Sequence, residues 1–198
     1  MGQMYQGSEQ KGAAQASFDK ALSLDPNSLD ALVSLGKLFN DAKQWAVALG
    51  YLEKALALER ELPEAHFELG ECLREMDRGE EAIFAYKRSV MLDPFQAKVH
   101  HRLGELLKEK LYHDQALTSL EEAAKLDPED LDIARDLAVV LGIAGRQEEA
   151  LDYTGLASQF LEMYAEGGAD FTLVGHKRGV VELSAEDDDP PRVYKNWR

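Results

Sequence analysis

Apolar residues recur along the chain at the intervals of amphipathic helices. Two such runs follow one another early in the chain: Leu32, Leu35, Leu38 and Phe39, then Leu49, Leu52, Leu56 and Leu58. Spacings of three and four residues place side chains on one face of a helix. A polar link at 41–44 separates the runs. The pattern therefore predicts a hairpin of two helices, each with a buried face.

The hairpin pattern repeats every 34 residues. Leucine followed by a small residue recurs at Leu35-Gly36, Leu69-Gly70, Leu103-Gly104 and Leu137-Ala138. Two further small positions keep the same register: Ala48, Ala82, Ala116 and Ala150, then Ala55, Ser89, Ala123 and Ala157. Small residues at fixed intervals mark places where helices approach closely. Because one helix pair buries only one of its sides, neighbouring pairs are expected to stack.

The ends of the hairpins carry Leu-Asp-Pro triplets at Pro26, Pro94 and Pro128. Proline cannot continue a helix, and it disfavours helical geometry in the residue before it. With these motifs the chain resembles the tetratricopeptide repeat (TPR) family. The resemblance covers four repeats and a partial repeat or cap: 29–62, 63–96, 97–130, 131–164, and 1–28. It implies an all-α, right-handed superhelical solenoid of helix-turn-helix repeats.

Both ends of the chain depart from the repeat. Gly2 and Tyr5 match the register of a first helix, whereas Ala14 and Phe18 match a second helix. Either a longer protein was cut or the first repeat has become a cap. Both alternatives leave the first hairpin less covered, which favours self-association or contact with upstream repeats.

The segment 165–198 lies beyond the periodic pattern. Residues 171–174 and 180–183 are predicted to form a short β-hairpin, which needs a surface to pack on because an isolated hairpin is marginal in water. An acidic linker at 186–189 and a basic, aromatic tail at 192–198 follow. The tail is either disordered, folded back onto acidic helices, or a recognition peptide.

The charge and the motif content of the chain argue against several classes of function. The 198 residues include 22 basic and 37 acidic side chains, a formal net charge of -15 that disfavours nucleic acid and anionic membranes. No apolar stretch is long enough to cross a bilayer, and no secretion signal begins the chain. A cytoplasmic location is the default expectation. The sequence also lacks catalytic and cofactor motifs, so neither an enzyme nor a cofactor is expected.

The resemblance implies that the first helix of each repeat lines a concave groove for a protein or peptide. The candidate groove residues are Lys37, Asn40, Phe67, Glu68, Glu71, Arg74, His101, Arg102, Glu105 and Arg135. A wider set at the same register adds Asp30, Val33, Ser34, Asp41, Glu64, Glu75, Lys98, Lys108, Glu109, Asp132, Asp136 and Val139. The expected function is a protein-interaction scaffold or adaptor. The alternative is a regulatory or targeting domain of a larger enzyme or secretion machine, which makes its contacts through residues 165–198.

One known use of the groove, the binding of heat-shock-protein tails, can be tested from the residue types. Relatives that hold the carboxylate tails of heat-shock proteins need asparagines where this chain has Lys37, Glu71 and Glu105, so such tails are not expected partners.

His66 and His100 occupy equivalent positions in adjacent repeats. They are expected to be partly buried and hydrogen-bonded, with a pH-sensitive contact or a metal site with His101 as alternatives. No ligand set has a recognised spacing, so no metal is expected.

The single cysteine, Cys72, excludes an internal disulfide. It stands at the register of Leu38, Leu106 and Val140. Cysteine behaves as a small apolar residue in helix packing, so we expect Cys72 to be buried in a first helix, and a reactive thiol is the alternative.

Overall fold

A computed structural model describes residues 2–155 of the chain, with side chains from residue 12 onward. All regular secondary structure in this range is α-helical and contains no strand. The helices are α1 (Gly2–Leu24), α2 (Leu29–Asp41), α3 (Trp45–Leu58), α4 (Pro63–Glu75), α5 (Gly79–Leu92), α6 (Ala97–Glu109), α7 (His113–Leu126) and α8 (Leu131–Ile143). Residues 147–155 are helical as well. The all-α prediction is confirmed, whereas the predicted β-hairpin, acidic linker and tail lie outside the described residues.

Two units divide the chain, one ending at Phe95 and the other beginning at Gln96. In the first unit α2 packs against α1, α3 and α4, and α4 also packs against α3 and α5. In the second unit α7 packs against both α6 and α8. No helix among the described residues has the length and apolar character needed to span a bilayer.

The cores of both units are built from the periodic apolar positions. In the first unit Leu32 packs with Ala55 and Ala65, and Leu52 packs with Ala48 and Cys72. In the second unit the fully buried large side chains belong to α6, α7 and α8: Val99, Leu107, Leu120, Ile133, Leu137, Val140 and Leu141. Burying each such side chain contributes about 1.5–3 kcal/mol to folding.

Close contact between the helices of a pair occurs at the repeated glycines. A β-carbon on Gly36 or Gly70 would lie 2.5 Å from the side chain of Leu52 or Tyr86, and one on Gly104 would lie 2.6 Å from Leu120. These distances are far shorter than a van der Waals contact between carbon atoms. The small residues therefore permit the close approach that their spacing predicts.

Cys72 and Leu58 show how closely burial follows the apolar pattern. The side chain of Cys72 is buried, and its thiol donates a hydrogen bond of 3.1 Å to the carbonyl of Trp45. Burial raises the pKa of this thiol, which agrees with the predicted packing role. Leu58, included in the apolar face of its helix, is instead exposed because it is the last residue of α3.

A left-handed residue ends the first helix of every pair from α2 onward. Positive φ angles occur at Lys43, Asp77, Leu111 and Gly145, at 34-residue intervals. After α6, the Leu111 amide donates to the Lys108 carbonyl at 3.0 Å, and the Tyr112 amide donates to the Leu107 carbonyl at 2.9 Å. This pair of bonds is the Schellman motif, which satisfies carbonyls at a helix end. The polar links thus share one turn geometry that only Gly145 meets with glycine.

We expect Leu111→Gly to stabilise the protein by about 1 kcal/mol, because a non-glycine residue in the left-handed region is strained. Leu111 is 73% exposed, so little apolar burial is lost. Gly145→Ala should destabilise by a similar amount, since it introduces the same strain at the equivalent turn. Urea unfolding monitored by circular dichroism measures both changes. If both variants were more stable than the parent, or both less stable, the left-handed turn geometry assigned to residues 111 and 145 would be contradicted.

The beginning of the chain differs from the expectation. The repeat register assigns Gly2 and Tyr5 to one helix and Ala14 and Phe18 to the next, but all four belong to the continuous helix α1. Residue 9, which stands at the register of Lys43, is helical and does not take the left-handed conformation that ends the other first helices. No turn therefore forms within this segment.

Candidate functional site

A polar cavity lies between α6 and α8, both first helices of their pairs, in the second unit. Its volume is about 380 Å³. The lining residues are Ala97, Lys98, His101, Arg102 and Glu105 from α6, Asp127 and Asp130 from the link before α8, and Asp132, Ile133 and Arg135 from α8. Basic and acidic groups both line the cavity. The cavity can therefore accept a ligand that carries both signs of charge.

The local sequence fixes the start of α8 beside this cavity. Asp130 is the N-cap residue, and its Oδ1 accepts hydrogen bonds from the amides of Asp132 at 2.8 Å and Ile133 at 3.2 Å. Aspartate at this position satisfies amides that have no partner within the helix. The cap sets the helix start, and with it the position of Arg135 one turn further on.

A buried ionic network joins α6 to α8 next to the cavity. His101 Nε2 lies 2.8 Å from Asp136 Oδ2, and Lys108 Nζ donates to Asp136 Oδ1 at 2.6 Å. Burial by itself would raise the pKa of Asp136, but the hydrogen bonds from Lys108 and His101 outweigh it and hold the pKa below its usual value. Asp136 is therefore ionised, and its carboxylate contacts both Lys108 and His101 on α6.

Both arginines on the cavity wall are paired with neighbouring carboxylates. Arg102 Nη1 donates to Glu105 Oε2 at 2.7 Å on α6, and Arg135 Nη1 lies 2.8 Å from Asp132 Oδ1 on α8. The second pair is well exposed, and exposed pairs contribute little to stability. Arg135 can therefore exchange its carboxylate for one on a ligand at small cost.

The structure brings together four of the ten candidate groove residues. His101, Arg102, Glu105 and Arg135 line the cavity between α6 and α8. His101 is nevertheless buried and bonded to Asp136, so it presents little of its ring to solvent. Arg102 and Arg135 are the accessible members of the set.

Three candidates of the first unit are buried between helices. Asn40 Nδ2 donates to the Glu68 carbonyl at 2.8 Å and to Glu68 Oε2 at 3.0 Å, which joins α2 to α4. Phe67 is buried, and its ring centroid lies 6.0 Å from that of Tyr86. In the first unit these side chains contribute to packing rather than to an open surface.

The remaining candidates of the first unit are more accessible. Lys37 is exposed and lies 3.5 Å from Glu64. Glu71 accepts a hydrogen bond from the Tyr86 hydroxyl, and Arg74 pairs with Glu75 at 3.1 Å. A role for these three residues in partner binding stays a prediction.

His66 is half-buried, and its Nε2 lies 2.9 Å from the Arg60 carbonyl. His100 is half-buried as well. Partial burial was expected at both positions, and a hydrogen bond is present at His66.

Sequence reasoning did not find the network around Asp136 or the contribution of Asp127 and Asp130. A signal for the network exists, because Asn40 and Glu68 are separated by 28 residues, as are Lys108 and Asp136. Both pairs join consecutive first helices within a unit. Asp127 belongs to a repeated Leu-Asp-Pro triplet, but nothing in that pattern places Asp127 and Asp130 beside α6.

Comparison with known proteins agrees with the helical repeats. Two family models described as tetratricopeptide repeat match, one to residues 39–106 and the other to residues 1–61 and 102–160. No curated protein matches the chain. A crystal structure of MamA superposes with a TM-score of 0.71 at 24% identity, covering 84% of this chain and 98% of MamA.

Two further solved structures share the fold. Pseudomonas aeruginosa PilF has a TM-score of 0.70 at 25% identity, covering 85% of this chain and 74% of PilF. YrrB, described as a TPR protein with an unusual peptide-binding site, has a TM-score of 0.64 at 22% identity. That match covers 83% of this chain and 87% of YrrB.

Proposed function

Since the chain belongs to the tetratricopeptide repeat family, we propose that it is a non-catalytic scaffold that binds a partner polypeptide between α6 and α8. The observation that carries the proposal is the polar cavity of the second unit. Its volume falls in the range of about 300–1,000 Å³ that is typical of small-molecule sites, so it can accept individual side chains of a bound polypeptide. The unusual peptide-binding site of YrrB, which shares the fold, gives further support.

The charges of the cavity indicate the kind of segment that fits it. Arg102 and Arg135 offer guanidinium groups that bind carboxylates through two parallel hydrogen bonds. Asp127 and Asp132 offer acceptors to a basic side chain or a backbone amide. The proposed ligand is therefore an extended segment that carries both acidic and basic side chains. Complementary charge selects such a segment chiefly through specificity and encounter rate.

The test begins with a ligand for the full chain, selected from a displayed peptide library, and measures its affinity by fluorescence anisotropy. We expect Arg135→Glu to weaken binding roughly fivefold or more, because the new carboxylate repels the acidic side chain of the ligand. Arg102→Gln should weaken binding in the same direction.

Lys125→Glu is the matched control for Arg135→Glu. Both residues are exposed cations paired with the carboxylate three residues before them, but Lys125 lies on α7, the second helix of its pair. Reversal of charge at Lys125 should leave the affinity unchanged. Equal losses in both variants, or none in either, would contradict binding between α6 and α8.

A further inference from the structure

His101, Glu105 and Asp136 form a cluster of metal-ligating groups in the second unit. One potential ligand atom from each residue lies within 4.8 Å of the others. His101 and Glu105 are one turn apart on α6, so their side chains share a face of the helix, and Asp136 comes from α8. His101 and Asp136 are buried, whereas Glu105 is half-buried.

We propose that His101, Glu105 and Asp136 form a Zn²⁺ site at the wall of the cavity. Zn²⁺ binds imidazole nitrogens and carboxylate oxygens. Three protein ligands leave a fourth position for water or another ligand. His101 and Glu105 both line the cavity, so the ion can enter from it. The proposal does not depend on the proposed peptide binding, although both involve residues of the same cavity wall.

The neighbouring cations leave each carboxylate with an oxygen for the metal. Lys108 holds Asp136 Oδ1, which leaves Oδ2, and Arg102 holds Glu105 Oε2, which leaves Oε1. The positive charges of Lys108 and Arg102 oppose a cation at this position, so the affinity is lower than that of a site with the same ligands alone. Lys108 is consequently the residue whose removal should strengthen binding.

Zn²⁺ would take the place of the hydrogen bond between His101 and Asp136. His101 Nε2 and Asp136 Oδ2 are 2.8 Å apart. Zinc bonds of about 2.0–2.2 Å in tetrahedral geometry separate two ligand atoms by a little over 3 Å, so the two side chains need to part only slightly.

Isothermal titration of the full chain with ZnCl₂ at neutral pH tests the site. We expect saturable binding of one ion per chain. Glu105→Gln should weaken binding at least tenfold, since losing even an outer-shell partner of a metal ligand costs roughly 10–100-fold. His101→Gln should weaken it as strongly, and Lys108→Met should strengthen it several-fold.

Glu109→Gln and His113→Gln are the matched controls. Glu109 is exposed on α6 and one turn from Glu105, and His113 begins α7. Both controls should bind Zn²⁺ like the parent. Absence of saturable binding, or equal affinities for Glu105→Gln and Glu109→Gln, would overturn the proposal. Because Glu105 is only half-buried, its variant is expected to stay folded, which a circular dichroism melt verifies.

Discussion

Gly70→Leu is expected to lower the free energy of unfolding by about 1–3 kcal/mol, the usual cost of overpacking a close contact. A β-carbon at Gly70 would lie 2.5 Å from two ring carbons of Tyr86. The ring cannot move aside easily, because Tyr86 is fully buried and its hydroxyl is bonded to Glu71. Helices α4 and α5 must therefore separate to accept the new side chain. Urea unfolding of the full chain measures the change.

Gly50→Leu is the control, because the same substitution meets open space. No atom lies within 4 Å of a β-carbon at Gly50, which is exposed in the middle of α3. Leucine forms helices better than glycine, so this variant should gain about 0.5–1 kcal/mol. If both leucine variants unfold at the same urea concentration, α4 and α5 do not approach each other closely at Gly70.

Asp136→Ala is expected to destabilise the protein by about 2–3 kcal/mol. The substitution leaves Lys108 and His101 without the carboxylate that both contact, and removing one partner of a buried ion pair costs about 3–5 kcal/mol when the other stays buried. The lower value applies because the Lys108 side chain is 24% exposed and water can reach it. Thermal or urea unfolding at neutral pH gives the difference.

Asp132→Ala is the matched control on the same helix. Asp132 is exposed, and its pair with Arg135 is also exposed, so its loss should change stability by no more than about 0.5 kcal/mol. Similar losses of stability at Asp132 and Asp136 would show that the buried network stabilises the fold no more than an exposed ion pair does.

The effect of Asp136 should depend on pH in a defined direction. The pKa of Asp136 is lowered in the folded protein, so the folded state binds this proton less readily than the unfolded state. Its contribution is present above the unfolded pKa of about 4 and is lost as the pH falls through the lower folded value. The difference between the parent and Asp136→Ala should therefore shrink below about pH 4. A constant difference would contradict the ionised role of Asp136.

The fold could be predicted from the sequence because its determinants are local and periodic. Small residues such as Gly70 and Gly104 repeat where helices meet, and leucines recur on one face of each helix. The left-handed turns escaped prediction, because Lys43 and Leu111 have no intrinsic preference for that conformation. There the packing of the two helices overrides the residue type.

The candidate site could be predicted only in part. Register placed Arg102 and Arg135 on first helices, and the structure brings them to one cavity. Register alone could not show that Asn40 and Glu68 bond to each other rather than face solvent, because exposure depends on the neighbouring helix. The same reason hid the contact of His101 with Asp136, which lies on a different helix.

Site-specific photocrosslinking tests the central claim, that a partner polypeptide binds between α6 and α8. A benzoylphenylalanine is placed at Lys98, an exposed position of the cavity wall on α6, in one sample and at Thr118, an exposed position on α7, in the other. Each sample is irradiated with the selected ligand. We expect a covalent adduct from position 98 and none from position 118. Adducts from position 118, with none from position 98, would contradict binding between α6 and α8.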